Sequence, residues 1–292
     1  MVVYNPKHWF RSVFEIHKSD TFRKLWPYII IAALISWGIA YLELEYLKLS
    51  DKSWLKNITL VHNLLGFALS LLLVFRTNTA YDRWWEARRQ WGALTNASRI
   101  LAIKLNSILA KDDSNHRSIY RKAIPLFAQT LFSHLRSDYT TYMLDQLNHP
   151  ELNFNEKHGP NQVANLLYHH INALHNDKKI TGEQLIILSK NLDEMTNICG
   201  ACERIKNTPI PYSYISFIKK FVVLYVLTLP IGFVFSMGYF VIAAVPFIFY
   251  VLTSLELIAE SIENPFGLDP DDLPIDQITN NITKNVKEIL HK

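Results

Sequence analysis

Val61 to Arg89 reads V-H-N-L-L-G-F-A-L-S-L-L-L-V-F-R-T-N-T-A-Y-D-R-W-W-E-A-R-R. Its first half is uncharged, its second half is dense in Arg, Asp and Glu, and no proline separates them. Such a segment is a membrane helix that runs on as a charged amphipathic helix. Phe67, Leu71 and Phe75 stand at i, i+4 and i+8, so their side chains share one face. Gly66 and Ser70 stand four apart on an adjacent face and would let a neighbouring helix approach closely. His62, polar within the apolar part, reads as one end of an interhelical hydrogen bond.

Outward from this segment the chain divides into two materials. Leu25 to Leu42, Asn57 to Phe75 and Phe221 to Leu255 contain no Asp, Glu, Lys or Arg. At ~1.5 Å per residue the first two are about 27 and 28 Å long, one crossing each. The third is about 52 Å, close to two hydrocarbon thicknesses, and it contains Pro230, Gly232, Gly238 and Pro246. It reads as two crossings that turn near Ser236 to Gly238, the second reaching about Glu263. The fold expected is all-α, with four crossings and a helical cytosolic region.

Basic residues set the orientation. Lys7, Arg11, Lys18, Arg23 and Lys24 precede the first crossing, and Arg76, Arg83, Arg88 and Arg89 follow the second. The loop Glu43 to Lys56 balances three lysines against three acids. Both termini are therefore expected in the cytoplasm of an integral inner (plasma) membrane protein, with Trp26 and Trp54 at the interfaces. The first apolar run begins too late for a signal peptide. The division is 1–24 as a cytosolic segment, 25–75 as crossings one and two, 76–220 as a cytosolic helical region, 221–263 as crossings three and four, and 264–292 as a cytosolic tail.

Within the middle region, helical spacing of apolar residues predicts helices over Asp82 to Leu109, His116 to Leu135, Asn161 to His175 and Gly182 to Ile205. Leu147 to Pro160 reads as loop. In the helix from Gly182, Leu185, Leu188 and Leu192 share one face, and Ile186 stands about 100° away from Leu185. Arg83 with Asp82 and Glu86 reads as an ion-pair set along one helix.

The chemistry excluded is broad. Nine glycines are too dispersed to write either Gly-rich phosphate cradle, and neither H-E-x-x-H nor G-x-S-x-G occurs. With 30 basic against 26 acidic residues the net charge is +4, which argues against a nucleic-acid partner. An enzyme is not expected. Cys199 and Cys202 form one C-x-x-C with no second ligand pair at metal spacing, so they read as small helix residues rather than a redox or zinc site. His169, His170 and His175 could supply nitrogen ligands, though a loop follows them.

Three stretches carry a resemblance. F-R-T-N-T-A-Y-D-R-W-W-E-A-R from Phe75 to Arg88 is similar to the bestrophin signature in its prokaryotic form. D-E-M-T-N-I-C-G-A-C-E-R-I-K-N-T-P-I-P (Asp193 to Pro211) and E-N-P-F-G-L-D-P-D-D (Glu263 to Asp272) agree with it in the expected order. The resemblance covers about Tyr4 to Asp276. It implies a homopentameric ion channel, whose partners are its own copies, membrane lipid and monovalent ions. Its central pore has a hydrophobic neck in the membrane and a cytosolic chamber below. Alignment at Arg83-Trp84-Trp85 places the neck at Phe67, Leu71 and Phe75. Alignment at Asp193-Glu194-Met195 places the cytosolic aperture at Ile186, with Leu185 one residue away. The family includes chloride and other anion channels and, among bacterial members, sodium- or cation-conducting ones.

The physics agrees. Five copies of an apolar stripe stack as rings, and an apolar constriction gates by dewetting without choosing the sign of the ion. Selectivity then falls to polar mouths, with Asn63 above and Asn78 and Asp82 below. In eukaryotic members the acidic stretch after the fourth crossing clasps Ca2+. Asp269, Asp271 and Asp272 occupy matching positions, but Leu268 and Pro270 stand where that clasp is acidic. A solvated turn stopped by Pro270 and Pro274 is the simpler reading. The alternative to a channel is a membrane-anchored scaffold or a carrier. A carrier predicts broken helices at matching positions in two halves, and only the third apolar run is interrupted.

Overall fold

A computed structural model describes residues 20–48, 57–136 and 158–291. Among these residues the chain is helical and has no strand. The helices are α1 (Asp20–Tyr41, ending in a wider turn Leu42–Tyr46), α2 (Ile58–Ile108), α3 (Ser114–Arg136), α4 (Gly159–Asn176), α5 (Gly182–Asn207), α6 (Tyr212–Met237), α7 (Val241–Glu263) and α8 (Ile275–Ile289). Trp54, the loop before Asn57 and the expected loop 147–157 lie outside the described residues. Gly159 and Pro160, expected in that loop, instead form the first turn of α4, where proline's missing N–H costs nothing.

The chain forms two compact units. One comprises Val2–Asp82 and Ile210–Glu263, and the other Arg83–Pro209 and Asn264–Lys292. The division falls within α2, which at 51 residues is unbroken from the uncharged stretch into the charged one.

In the first unit α1, α6 and α7 pack on one another, and their shared core is small: Ala40, Leu69, Leu73, Ile218, Val222, Val226, Leu229, Val234, Val241 and Val245. Trp26, Ile30, Leu34, Leu60, Leu64 and Phe247 are exposed. Helices with so much apolar surface outward are stable in lipid rather than water. The stretches Thr21–Tyr46, Ile58–Ile108 and Tyr212–Glu263 are long and apolar enough to cross a membrane. Gly238 divides the last of these into two crossings. Its φ of 54° reverses the chain between α6 and α7, a conformation that favours glycine. Pro230 and Pro246 remain inside their helices.

Some polar groups inside this unit are paired, while the buried Glu43 Oε2 has no hydrogen-bond partner among the described residues. His62 is buried between Ile58 O (3.0 Å) and Thr228 Oγ1 (2.9 Å), so it makes the interhelical bond expected of it. A Cβ on Gly66 would fall 2.6 Å from Tyr225 Oη, so α6 does approach closely there. Ser70, expected on the same approach, is exposed and donates to Gly66 O within its own helix.

The second unit has a water-type core. Trp91, Leu94, Leu101 and Leu105 of α2, Tyr120, Ile124 and Phe127 of α3, Leu167 and Ile171 of α4, and Leu188, Leu192 and Met195 of α5 are buried together. The C-terminal segment also joins it, through Ile275, Ile282 and Val286 of α8, which packs on α3. That helix occupies most of the segment 264–292. Helix ends are satisfied by side chains. Buried Arg117 donates to Asn106 O, Leu109 O and Ala110 O at the end of α2. Thr181 and Gln184 close a capping box on α5. Arg83 donates to Ile205 O (2.7 Å) and Thr208 O (2.5 Å), so it caps the end of α5. Glu86, expected to pair with it, meets Arg204 at 3.1 Å.

Candidate functional site

Within the first unit, α2 has two unlike sides. His62, Leu69, Leu73, Arg76 and Ala80 are buried against the unit. At about 100° per residue, Ala80 lies half a turn round from Leu71. The opposite side carries Asn63, Phe67, Leu71, Phe75, Asn78 and Asp82, all exposed. Phe67 is 67% and Phe75 60% accessible. Exposure alone does not separate a pore from lipid, because Leu60, Leu64 and Val74 are exposed as well. The polar residues set this side apart from a wholly apolar one. An Asn63 amide aimed at hydrocarbon would have its hydrogen bonds unmet, at a cost of several kcal/mol. One side of α2 therefore runs from an amide through three large apolar side chains to an amide and a carboxylate. The Thr79 hydroxyl near its lower end donates to Phe75 O at 2.8 Å, back into its own helix.

Behind this side lies the unit's main charge cluster. Arg76 is fully buried, donates to Glu263 Oε2 at 2.7 Å and stands 3.6 Å from Glu256 Oε2. Glu263 also accepts the Ile210 N–H at 3.0 Å. Arg76 counts in sequence as a basic flank, yet its charge is spent inside the helix bundle.

In the second unit α5 separates its apolar residues in the same manner. Leu188 and Leu192 are buried, and Leu185 is half-buried against the same core. Ile186 is 71% accessible, and Ile187 beside it is exposed too. The isoleucine pair thus stands outside the buried stripe at the start of a helix closed by a capping box. Nothing in the sequence reading had singled out Ile187.

The acidic turn is built inward. Asp272 Oδ2 accepts the Asp269 N–H at 2.6 Å and lies 2.7 Å from where a Cβ on Gly267 would sit. Burial, against the pull of that N–H, raises its carboxyl to about 6. Asp269 and Asp271 face solvent, and Trp84 Nε1 donates to the Asp271 carbonyl at 3.0 Å. The three carboxylates are not gathered on one point. Among the described residues, the group of donors close enough to share an ion is His134, His158 and Glu203. His169 is exposed, His170 stands edge-on to Tyr120, and His175 Nδ1 lies 3.3 Å from Ile180 O. Cys199 and Cys202 are buried thiols, and burial foremost raises both, Cys202 to about 12. Protonated thiols of this kind are poor nucleophiles and poor metal ligands.

The family model for "Bacterial/Fungal Bestrophin protein" matches residues 1–288. A voltage-dependent anion channel-forming protein of Nostoc sp. is 32% identical over 290 residues, which cover 97% of this chain and 92% of that protein. The voltage-dependent anion channel-forming protein YneE of Salmonella typhi is 30% identical over 285 residues, 97% of this chain and 91% of its own. A bacterial bestrophin homologue from Klebsiella pneumoniae, solved by crystallography, is similar with a TM-score of 0.81 and 27% identity, covering 91% of this chain and 99% of that one.

Proposed function

The chain belongs to the bacterial and fungal bestrophin family, and from that premise we propose that it is the subunit of a homopentameric channel for small monovalent ions. It is an integral membrane protein with the bestrophin fold. The family and its relatives' names read as channel rather than enzyme. The observation that carries the proposal is the side of α2 opposite its packed face: Phe67, Leu71 and Phe75 accessible in a column, with Asn63, Asn78 and Asp82 at its ends. Around a fivefold axis these side chains become three apolar rings with polar mouths, a neck that conducts when wetted. Residues that line a pore have no partner in their own subunit, and these have none of the core's burial. Ile186 forms the corresponding ring in the second unit. Leu185, half-buried in its own core, is the less suitable of the pair. Both termini and the second unit are assigned to the cytoplasm on the basic flanks.

The sign of the preferred ion is contested by two features. The relatives are named for anions, whereas five Asp82 carboxylates at a mouth would attract cations. The acidic turn, in which only the Asp272 carboxyl is buried, is assigned a structural part and not a Ca2+ site.

Reversal potentials of the purified protein in planar bilayers under a salt gradient test conduction and sign together. An absence of current at any voltage would leave the scaffold or carrier reading in its place. Replacing Phe67, Leu71 and Phe75 together by Ala is expected to raise single-channel conductance several-fold. An unchanged unitary current would put the stripe against lipid. Ile186→Glu is expected to shift relative permeability toward cations by adding five carboxylates to the second ring. Well-assembled channels with unaltered ion preference would remove the aperture assignment.

A further inference from the structure

The channel reading makes no use of a polar cluster inside the second unit. His134 comes from the last turn of α3, His158 caps the start of α4, and Glu203 stands on α5. One carboxylate oxygen, Glu203 Oε1, meets both imidazoles. It is 2.8 Å from His134 Nε2 and in closer contact still with His158 Nε2. The two rings stand edge-on with centroids 4.4 Å apart. All three donor atoms lie within 4.8 Å of one another. The side chains are about three-quarters buried, at 23%, 29% and 27% accessible. Three helices thus deliver two nitrogens and an oxygen to one half-open point.

We infer that His134, His158 and Glu203 form a binding site for a divalent transition-metal ion of the zinc class, one per subunit. Two imidazoles and one carboxylate are the donor set of a borderline ion, not of Ca2+ or Mg2+, which take oxygen throughout. Three protein ligands leave a fourth tetrahedral position for water, which the partial exposure supplies. The ion takes the place of the protons now shared between Glu203 and the rings.

His158 sets the limit on affinity. Its Nδ1 now accepts the Asn161 N–H at 3.2 Å as the cap of α4. Ligation through Nε2 puts the remaining ring proton on Nδ1, so the cap bond is given up. Lys206, whose ammonium donates to the His134 carbonyl at 3.1 Å, adds a positive charge nearby. Both effects weaken binding and make the site exchangeable, not a permanent structural one. The inference is independent of the channel reading, because occupancy is measured without current.

The test is Zn2+ titration of the full-length protein in detergent by calorimetry, after removal of metal with a chelator. The expected result is one Zn2+ per subunit with a rise in Tm. His158→Asn removes a ligand while keeping a side chain that caps helices well, and it should weaken Zn2+ binding at least ~10-fold with the helical signal intact. Glu203→Gln should do the same. Cys202→Ser should leave the affinity unchanged; Cys199 is kept because its thiol is hydrogen-bonded to Glu203. The inference is overturned if the wild-type protein takes up no Zn2+ at micromolar concentrations. It is equally overturned if His158→Asn and Glu203→Gln bind as the wild type does, or if Cys202→Ser abolishes the affinity.

Discussion

The two halves of α2 are one helix built for two solvents. Before Arg83 its outward residues are Leu60, Leu64, Phe67, Leu71 and Phe75, while His62 and Arg76 are turned inward. After Arg83 its inward residues are Trp91, Leu94, Leu101 and Leu105, while Arg88, Arg89, Asn96 and Arg99 are turned outward. Burial of apolar area drives packing where the alternative is water. Where the alternative is lipid it does not, and helices join through close contact, hydrogen bonds and paired charge. The second half has exceptions in Trp85, Ile100 and Ile103, which are exposed despite being apolar. The proposed pentamer would cover such residues, as exposed apolar patches in water usually mark contact surfaces.

The contrast can be broken most severely at the inward charges. Replacing Glu256 and Glu263 together by Gln leaves the Arg76 guanidinium buried without a counter-charge, which costs about 3–5 kcal/mol. Loss of the monodisperse species and a much lower Tm in detergent are expected, and adding Arg76→Met should recover part of both. A double variant as stable as the wild type would show that the first unit does not depend on its ion cluster.

A matched pair of substitutions on the same helix sharpens it. Leu101→Ala empties a fully buried position and should cost ~2–5 kcal/mol of thermal stability. Leu71→Ala, on the outward side of the other half, should cost under ~1 kcal/mol and act on conductance instead. Equal losses of Tm from the two would mean that Leu71 packs as a core residue.

A further effect expected is one of pH on the second unit. Asp272 has its pKa raised by burial from the usual 3.8 to about 6. A raised pKa gives stability that is present in full below about 4 and lost as pH rises through about 6, by at most ~3 kcal/mol. Asp272→Asn should flatten that part of the stability curve. If Tm between pH 4 and 7 changes identically in variant and wild type, the carboxyl is not the source.

Most of the first unit was legible because its signals are local. Uncharged runs gave the crossings, and Gly238 marked the reversal between α6 and α7 since only the backbone's own conformation is at stake there. Ile186 could be separated from Leu185, Leu188 and Leu192 by angle alone, and its exposure follows. Helix α8 was also written locally, with Ile275, Ile282 and Val286 at i, i+7 and i+11, but its Asn, Lys and Asp residues give it the composition of a tail. Arg83 was read against its sequence neighbours because its acceptors lie more than a hundred positions away. His134, His158 and Glu203 share no spacing that a motif could express. They meet because the ends of three helices meet, and the sequence alone does not say where those ends will be.

Arg76 has a history as well as a partner. The ribosome releases it 187 residues ahead of Glu263, and synthesis at ~5–20 residues per second separates the two by roughly 10–40 s. Throughout that interval a guanidinium stands at the end of an apolar helix before its carboxylate has been made. Until then the buried ion cluster of the first unit cannot form. The last crossing brings both Glu256 and Glu263, so the charge balance of the first unit closes only when its final helix has been made.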